Sequence, residues 1–259
     1  MRLLLVILAG CWEIVVRAQG ECAFDAVMQQ ACMDRAYASQ LQAAEAAAAR
    51  GGDQVRGKGG PHRIPVVVHI LHRGEAIGTT NNPADSVIMN ALECANQRFA
   101  GSIGSGVDTE LSFCLAQVDP DGAPTNGIDR IDGTLYPGYA TTGMSSTYLP
   151  QCTGPTQYTI SSDHGWPVEQ YYNIYLVFSI CGANNAGFAY LPSFQLPSWD
   201  GAYMITSTFT CTGYIATHEL GHGMGLYHTF EGDGGSQFCP PNDDCTQQGD
   251  RVCDTAPHR

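Results

Sequence analysis

The chain has 259 residues, 44% apolar and 14% charged, and a net charge of −13 from 12 basic and 25 acidic side chains. This composition supplies a real core and excludes a disordered chain. With no basic surplus to neutralise phosphates, nucleic acid and anionic membranes are excluded as partners. The opening MRLLLVILAGCWEIVVRAQG has a basic Arg2, an apolar run from Leu3 to Trp12 and a small-residue exit at Val16-Arg17-Ala18, so residues 1–18 are predicted as a secretory signal peptide. Glu13 and Arg17 interrupt it too early for a membrane span, which needs ~20 apolar residues. An alternative takes Leu8 to Cys11 as a lipobox with Cys11 as the lipid-anchored residue, although the apolar run before it is short. Eleven cysteines fit an oxidising, extracellular setting without fixing their pairing.

Residues 19–63 change character. MDRAYASQLQAAEAAAAR has good helix propensity and few large apolar side chains, and it runs into the Gly- and Arg-bearing GGDQVRGKGGPHR. This reads as a pro-segment and linker with a cleavable stretch in 51–63, or as a plain spacer. Residues 64–259 are then the catalytic domain. IPVVVHIL is a continuous β-branched run, the mark of a buried central strand. A helix follows with Val87, Ala91, Leu92, Ala95 and Phe99 at helical spacing and Asp85 or Ser86 as its cap. TELSFCLAQV is a second strand, DPDGAPTNG turn chemistry, YYNIYLVFSI a third strand and GFAYLPSF a shorter fourth. Strands and helices alternate, so the fold class is α/β.

ATHELGHGMGLYHTF, residues 216–230, holds three of the eight histidines. On a helix, residues i and i+4 share a face, so His218 and His222 can grip one ion. Glu219 stands beside the first ligand, Gly225 supplies the left-handed turn that ends the helix, and His228 returns as third ligand. Three neutral imidazoles leave a tetrahedral zinc one open position for water, whose pKa falls toward ~7. Glu219 is then the general base and later the proton donor to the leaving amine. Five fixed positions at this spacing arise by chance in about one of 10⁵ chains of this length, which rejects three incidental surface histidines.

The pattern HExxHxxGxxH is the zinc signature of metzincin metallopeptidases. GLYHTF around the third histidine, IPVVVHIL, LSFCLAQVDPDGAPTNGI and GDRVCDT narrow the resemblance to the pappalysin (cytophagalysin) family, from about residue 62 onward and faintly before it. That resemblance implies a metzincin-type zincin fold: a twisted mixed β-sheet over a long active-site helix, with zinc at the floor of a cleft. It implies an edge strand over 187–194, with Gly187 and Ala189 pairing antiparallel to a protein or peptide substrate, although both residues also suit a plain edge strand. It further implies a methionine-bearing turn after the third histidine and a C-terminal subdomain that builds the S1′ pocket. The last of seven methionines is Met224, so the chain is read as a truncated version of a longer peptidase with a half-built cleft. Ala256 separates Thr255 from Pro257 where the family reads Asp-Thr-Pro.

Further sites follow from the resemblance. Cys22 stands where a pro-segment cysteine switch would offer a thiolate to the zinc, or it pairs with Cys32. Asp254 and the Thr255 carbonyl are candidate calcium ligands in an acidic stretch that otherwise reads as a solvated loop. His69 and His72 lack ligand partners at close spacing and read as structural histidines, and Tyr227 and Phe230 as packing for the third-ligand loop. The function these readings support is a secreted zinc-dependent endopeptidase. Its rivals are a zinc-binding module without turnover and a structural disulfide-rich protein.

Overall fold

The computed structural model describes residues 24–31, 33–51, 61–104, 106–146, 153–180, 186–192, 200–231, 244–245, 248–253 and 255–256. The signal peptide with Cys11, and Cys22, Cys32 and Asp254, lie outside the described residues. In chain order the elements are α1 (Phe24–Ala31), α2 (Arg35–Gly51), β1 (His62–His72), α3 (Asp85–Phe99), β2 (Leu111–Leu115), β3 (Ile128–Asp132), α4 (Tyr139–Thr142), α5 (Gln157–His164), β4 (Tyr172–Val177), β5 (Gly187–Ala189), β6 (Ala202–Ile205) and α6 (Ile215–Gly223).

The sheet is mixed and runs β2-β1-β4-β6-β5. The eleven-residue β1 pairs in parallel with β2 through its first half and with β3 through its second, while its other side pairs with β4. β6 adds in parallel to β4, and β5 closes the row antiparallel to β6. β1 and β4 are central because they have no polar face to expose: all six residues of β4 are buried.

Alternation then sorts side chains to two cores. Val66, Val68, Ile70, Ile174, Leu176, Ala202 and Met204 face α3 and α6, where they meet Ile88, Leu92, Phe99 and Leu220. Leu71, Tyr175, Val177, Phe188 and Tyr203 face the other way, toward Phe24, Val27, Met28, Tyr37 and Leu41 of α1 and α2. On this second face four rings stack in a row across β1, β4, β6 and β5: His69 on Tyr175 at 4.7 Å, Tyr175 on Tyr203 at 4.6 Å and Tyr203 on Phe188 at 5.0 Å. Each such pair adds about 0.5–1.5 kcal/mol beyond its burial.

His69 is fully buried, with its Nδ1 3.1 Å from Asp129 and its Nε2 3.0 Å from the Asn173 side-chain oxygen, so it anchors the row from within the sheet. A disulfide, Cys94–Cys211, ties α3 to the stretch that leads into α6, and Cys245–Cys253 closes a small loop; Cys114 is unpaired.

Several expectations need correction. Ala91, Leu92, Ala95 and Phe99 face the core from α3 as expected, but Ile88 takes the first position of the stripe and Val87 is exposed. Neither Asp85 nor Ser86 caps that helix: Ala84 is the N-cap, and the Asp85 carboxylate accepts from Arg130 and Asn126 instead. The fourth strand spans 187–189 of the expected 187–194, with 193 and 194 outside the described residues. The active-site helix is short, nine residues. β3, β6 and α5 are additions to the sequence reading. The N-terminal stretch is also less loosely attached than its composition implied, since six of its side chains are buried in the main core.

Candidate metal centre

α6 presents His218 and His222 one turn apart and ends at Gly223, with Met224 as its C-cap. Gly225 takes φ +94°, a conformation that side chains bearing a Cβ strongly disfavour, and turns the chain back. Its N–H donates to the His222 carbonyl at 2.8 Å and the Leu226 N–H to the Gly221 carbonyl at 3.0 Å, the two bonds of a Schellman cap. The turn brings His228 back over the helix. The three Nε2 atoms then lie 3.1, 3.1 and 3.2 Å apart, and among the described residues this is the cluster that can hold a metal ion.

The donor set fits zinc. Three nitrogens bound to one tetrahedral zinc at 2.0–2.1 Å would lie about 3.3–3.4 Å from one another, close to the spacing found here. The Nδ1–H of His222 donates to the Leu226 carbonyl at 2.7 Å, which fixes the tautomer and leaves Nε2 as a lone-pair donor. His228 is held by stacking on Phe230, with ring centroids 4.5 Å apart, and its Nδ1 lies 3.9 Å from the Glu231 carboxylate.

Glu219 is fully buried and lies against β5. A Cβ on Gly187 would sit 3.2 Å from its Cγ and 2.9 Å from the Tyr203 carbonyl oxygen, so the close approach of strand and helix requires glycine at 187. Below the helix, burial first, then the carboxylates of Asp200 and Glu219, push the Tyr172 hydroxyl well above the usual phenol range and keep it neutral. A cavity of about 480 Å³ opens beside the three histidines, with Phe99, Val107, Leu226 and Phe230 as apolar walls.

His218, Glu219, His222, His228 and Gly187 thus converge, and Ala189 lies buried two residues along β5. Thr255 stands apart, with its N–H donating to the Val252 carbonyl; its proposed calcium partner Asp254 is outside the described residues, and no described carboxylates gather there into a cation cluster. Sequence reasoning missed Phe24. Its ring is fully buried and stacks on His222 with centroids 3.7 Å apart and planes at 6°, with its edge contacts to His228 at 5.2 Å and Tyr227 at 6.3 Å. Local sequence carried no signal for this, since the contact spans almost the whole chain. Tyr227 also does more than pack: its hydroxyl donates to Glu45 of α2 at 2.7 Å, and Arg251 both pairs with Glu45 and lies over the Tyr227 ring at 4.4 Å.

A twisted mixed sheet with an antiparallel edge strand above a helix bearing two of three clustered histidines is the metzincin type of protease fold. Comparisons with known proteins narrow this. The family model described as pregnancy-associated plasma protein-A matches residues 156–259. Extracellular metalloprotease 1 of Coccidioides posadasii is 34% identical over 99 residues, covering 34% of this chain and 31% of that protein. An extracellular metalloprotease of Podospora anserina is 35% identical over 95 residues, 32% of this chain and 28% of its own length. The aligned stretch therefore spans about a third of the length of these curated relatives. Among solved structures, mature mirolysin of Tannerella forsythia in complex with a cleaved peptide superposes with a TM-score of 0.56 at 25% identity, over 76% of this chain and 72% of that one. A promirolysin variant of the same organism gives 0.54 at 23% identity, over 88% and 76%, a likeness of fold. The matches make residues 156–259 similar to the pappalysin family, and the fold similar to that of mirolysin.

Proposed function

We propose that the chain is the precursor form of a secreted, zinc-dependent endopeptidase of pappalysin type. The convergence of three imidazole nitrogens beside a buried glutamate, on one helix and the bend after it, carries this reading. When bound, zinc supplies Lewis acidity to a peptide carbonyl and acidifies a coordinated water. His218, His222 and His228 hold the metal, and the Leu226 carbonyl keeps His222 in the ligating tautomer. Glu219 accepts a proton on its carboxylate from the attacking water and returns it to the leaving amine. Burial of that carboxylate keeps bulk water from competing for it.

The substrate is an extended peptide that adds to β5, the last strand of the row, antiparallel along Gly187 and Ala189. The binding of a cleaved peptide by mature mirolysin supports this. In the form described, α1 packs on β5, and the Tyr37 hydroxyl of α2 reaches the Leu191 carbonyl just beyond the strand at 3.5 Å. Residues 19–63 are therefore a latency segment, and the likeness to promirolysin extends over a larger share of the chain than the likeness to the mature form. Cys22, two residues before Phe24 in the sequence, is suited to offer its thiolate to the metal in that latent form. The predicted signal and the extracellular relatives support secretion.

Substitution Glu219→Gln tests the proposal. Hydrolysis of an unstructured protein by the activated chain should fall about 10²–10⁴-fold while bound zinc is unchanged. Equal rates from both proteins would overturn the assignment of the base. Zinc without hydrolysis in either would favour a binding module.

A further inference from the structure

Among the described residues, Phe24 is the N-terminal side chain whose ring reaches the histidine cluster, and the surface that receives it is made of rings. His222 provides a flat floor parallel to it at 3.7 Å, and His228 and Tyr227 provide walls at 79° and 84° to its plane. A floor and two walls of this kind form a slot one ring thick. Such a slot suits a planar side chain, which gains stacking and edge contacts together, and suits a branched aliphatic one less well. Its position matters as much as its shape. The helix that starts at Phe24 contacts β5, which places the slot close to the strand on which a substrate peptide is proposed to pair.

We propose that the His222, Tyr227 and His228 rings form a seat for an aromatic side chain of the peptide substrate, and that Phe24 fills this seat in the latent chain. This rests on the endopeptidase reading and adds a class of substrate to it: peptides with Phe, Tyr or Trp at one fixed position relative to the cut bond. Tyr227 is then a specificity residue. Its hydroxyl is engaged by Glu45 while the N-terminal helices are in place, and its ring stays fixed by Arg251 above it. Release of the helices would open the slot without moving the two histidine rings, which a bound metal would hold in place.

Two measurements on the full-length chain test this. The first needs no turnover: zinc-loaded Phe24→Ala, whose slot is emptied, is titrated with N-acetyl amides of Phe, Leu and Ala while the His222 and His228 ring protons are followed by NMR. The Phe compound should bind roughly tenfold or more tighter than the Ala compound, with Leu between them. The same titration on Phe24→Ala/Tyr227→Ala should lose most of that difference. Equal binding of all three, or shifts away from both histidines, would overturn the seat. The second uses the full chain nicked in the 52–60 stretch and peptides in which each position around a cut bond is scanned with Phe, Tyr, Leu, Ala and Lys. An aromatic preference of about tenfold in kcat/KM at one position, expressed mainly in KM and flattened by Tyr227→Ala, supports the seat. Hydrolysis with no aromatic preference overturns the seat and leaves the peptidase reading intact. No hydrolysis of any peptide counts against the peptidase reading, and the NMR titration alone then decides the seat.

Discussion

Gly187 and Glu219 occupy adjoining space: the strand carries no side chain where the glutamate passes, and a Cβ at 187 would stand 3.2 Å from the Glu219 Cγ. The same Cβ would meet the Tyr203 carbonyl oxygen and the Met204 side chain at 2.9 Å. Gly187→Ala should therefore cost about 1–3 kcal/mol of stability and displace the proposed base. Thermal denaturation with zinc analysis and steady-state kinetics checks this: turnover should fall with metal content unchanged. Turnover equal to the parent protein would show that the strand does not fix the glutamate.

Gly225 governs the bend that returns His228, the proposed third ligand. With φ at +94°, Gly225→Ala forces a side chain into left-handed backbone at about 1–2 kcal/mol and strains the bend that returns His228. Zinc affinity, measured by competition with a chromophoric chelator, should weaken about 10–100-fold, the scale seen when support of a metal ligand is lost. His222, whose tautomer depends on the Leu226 carbonyl in the same bend, would be disturbed with it.

The Cys94–Cys211 bridge spans 117 residues and joins the core helix α3 to the stretch that leads into α6. Replacing both cysteines with alanine should lower stability by about 3–5 kcal/mol, read as a lower denaturant midpoint without reductant. The Arg98 guanidinium donates to the Cys211 carbonyl at 2.7 Å and keeps the local geometry, so the loss should be in stability more than in the metal site.

Asp200 gives the fold a pH dependence. Burial pushes its carboxyl up from 3.8 to about 7, with the Gly201 N–H opposing and Glu169 adding to the rise. A folded-state pKa above the unfolded one means that this contribution to stability is complete below pH 3.8 and is lost as pH rises through about 7. Asp200→Asn should be more stable than the parent at pH 8 by on the order of 2–4 kcal/mol and similar to it near pH 4, as urea denaturation at the two pH values would show.

What the sequence made legible follows from how locally each feature is encoded. The histidine helix and its bend were legible because HExxHxxGxxH places three histidines, the buried glutamate and the helix end within eleven residues. β1 and β4 were legible because a strand buried on both faces leaves a continuous apolar run. β3, IDRID, has three charged residues in five and is a strand because the second half of β1 offers it a partner. α5, QYTISSDH, has little amphipathic pattern and rests on the Thr156 side chain, which accepts from the Thr159 N–H, and on buried Ile160. β6 has only four residues, AYMI, too short for periodicity to register. The seating of Phe24 on His222, and of Glu45 on Tyr227, joins residues about 180 to 200 positions apart, and no local pattern announces such a contact.

X-ray absorption at the zinc edge of the reconstituted full-length chain, combined with metal counting, tests the central claim most directly. One zinc per chain with three imidazole nitrogens near ~2.0 Å, and loss of that signal in His222→Ala and in His228→Ala, is the expected result. Zinc bound with the same spectrum in those variants, or no zinc bound by the parent chain, would contradict a metal held by His218, His222 and His228.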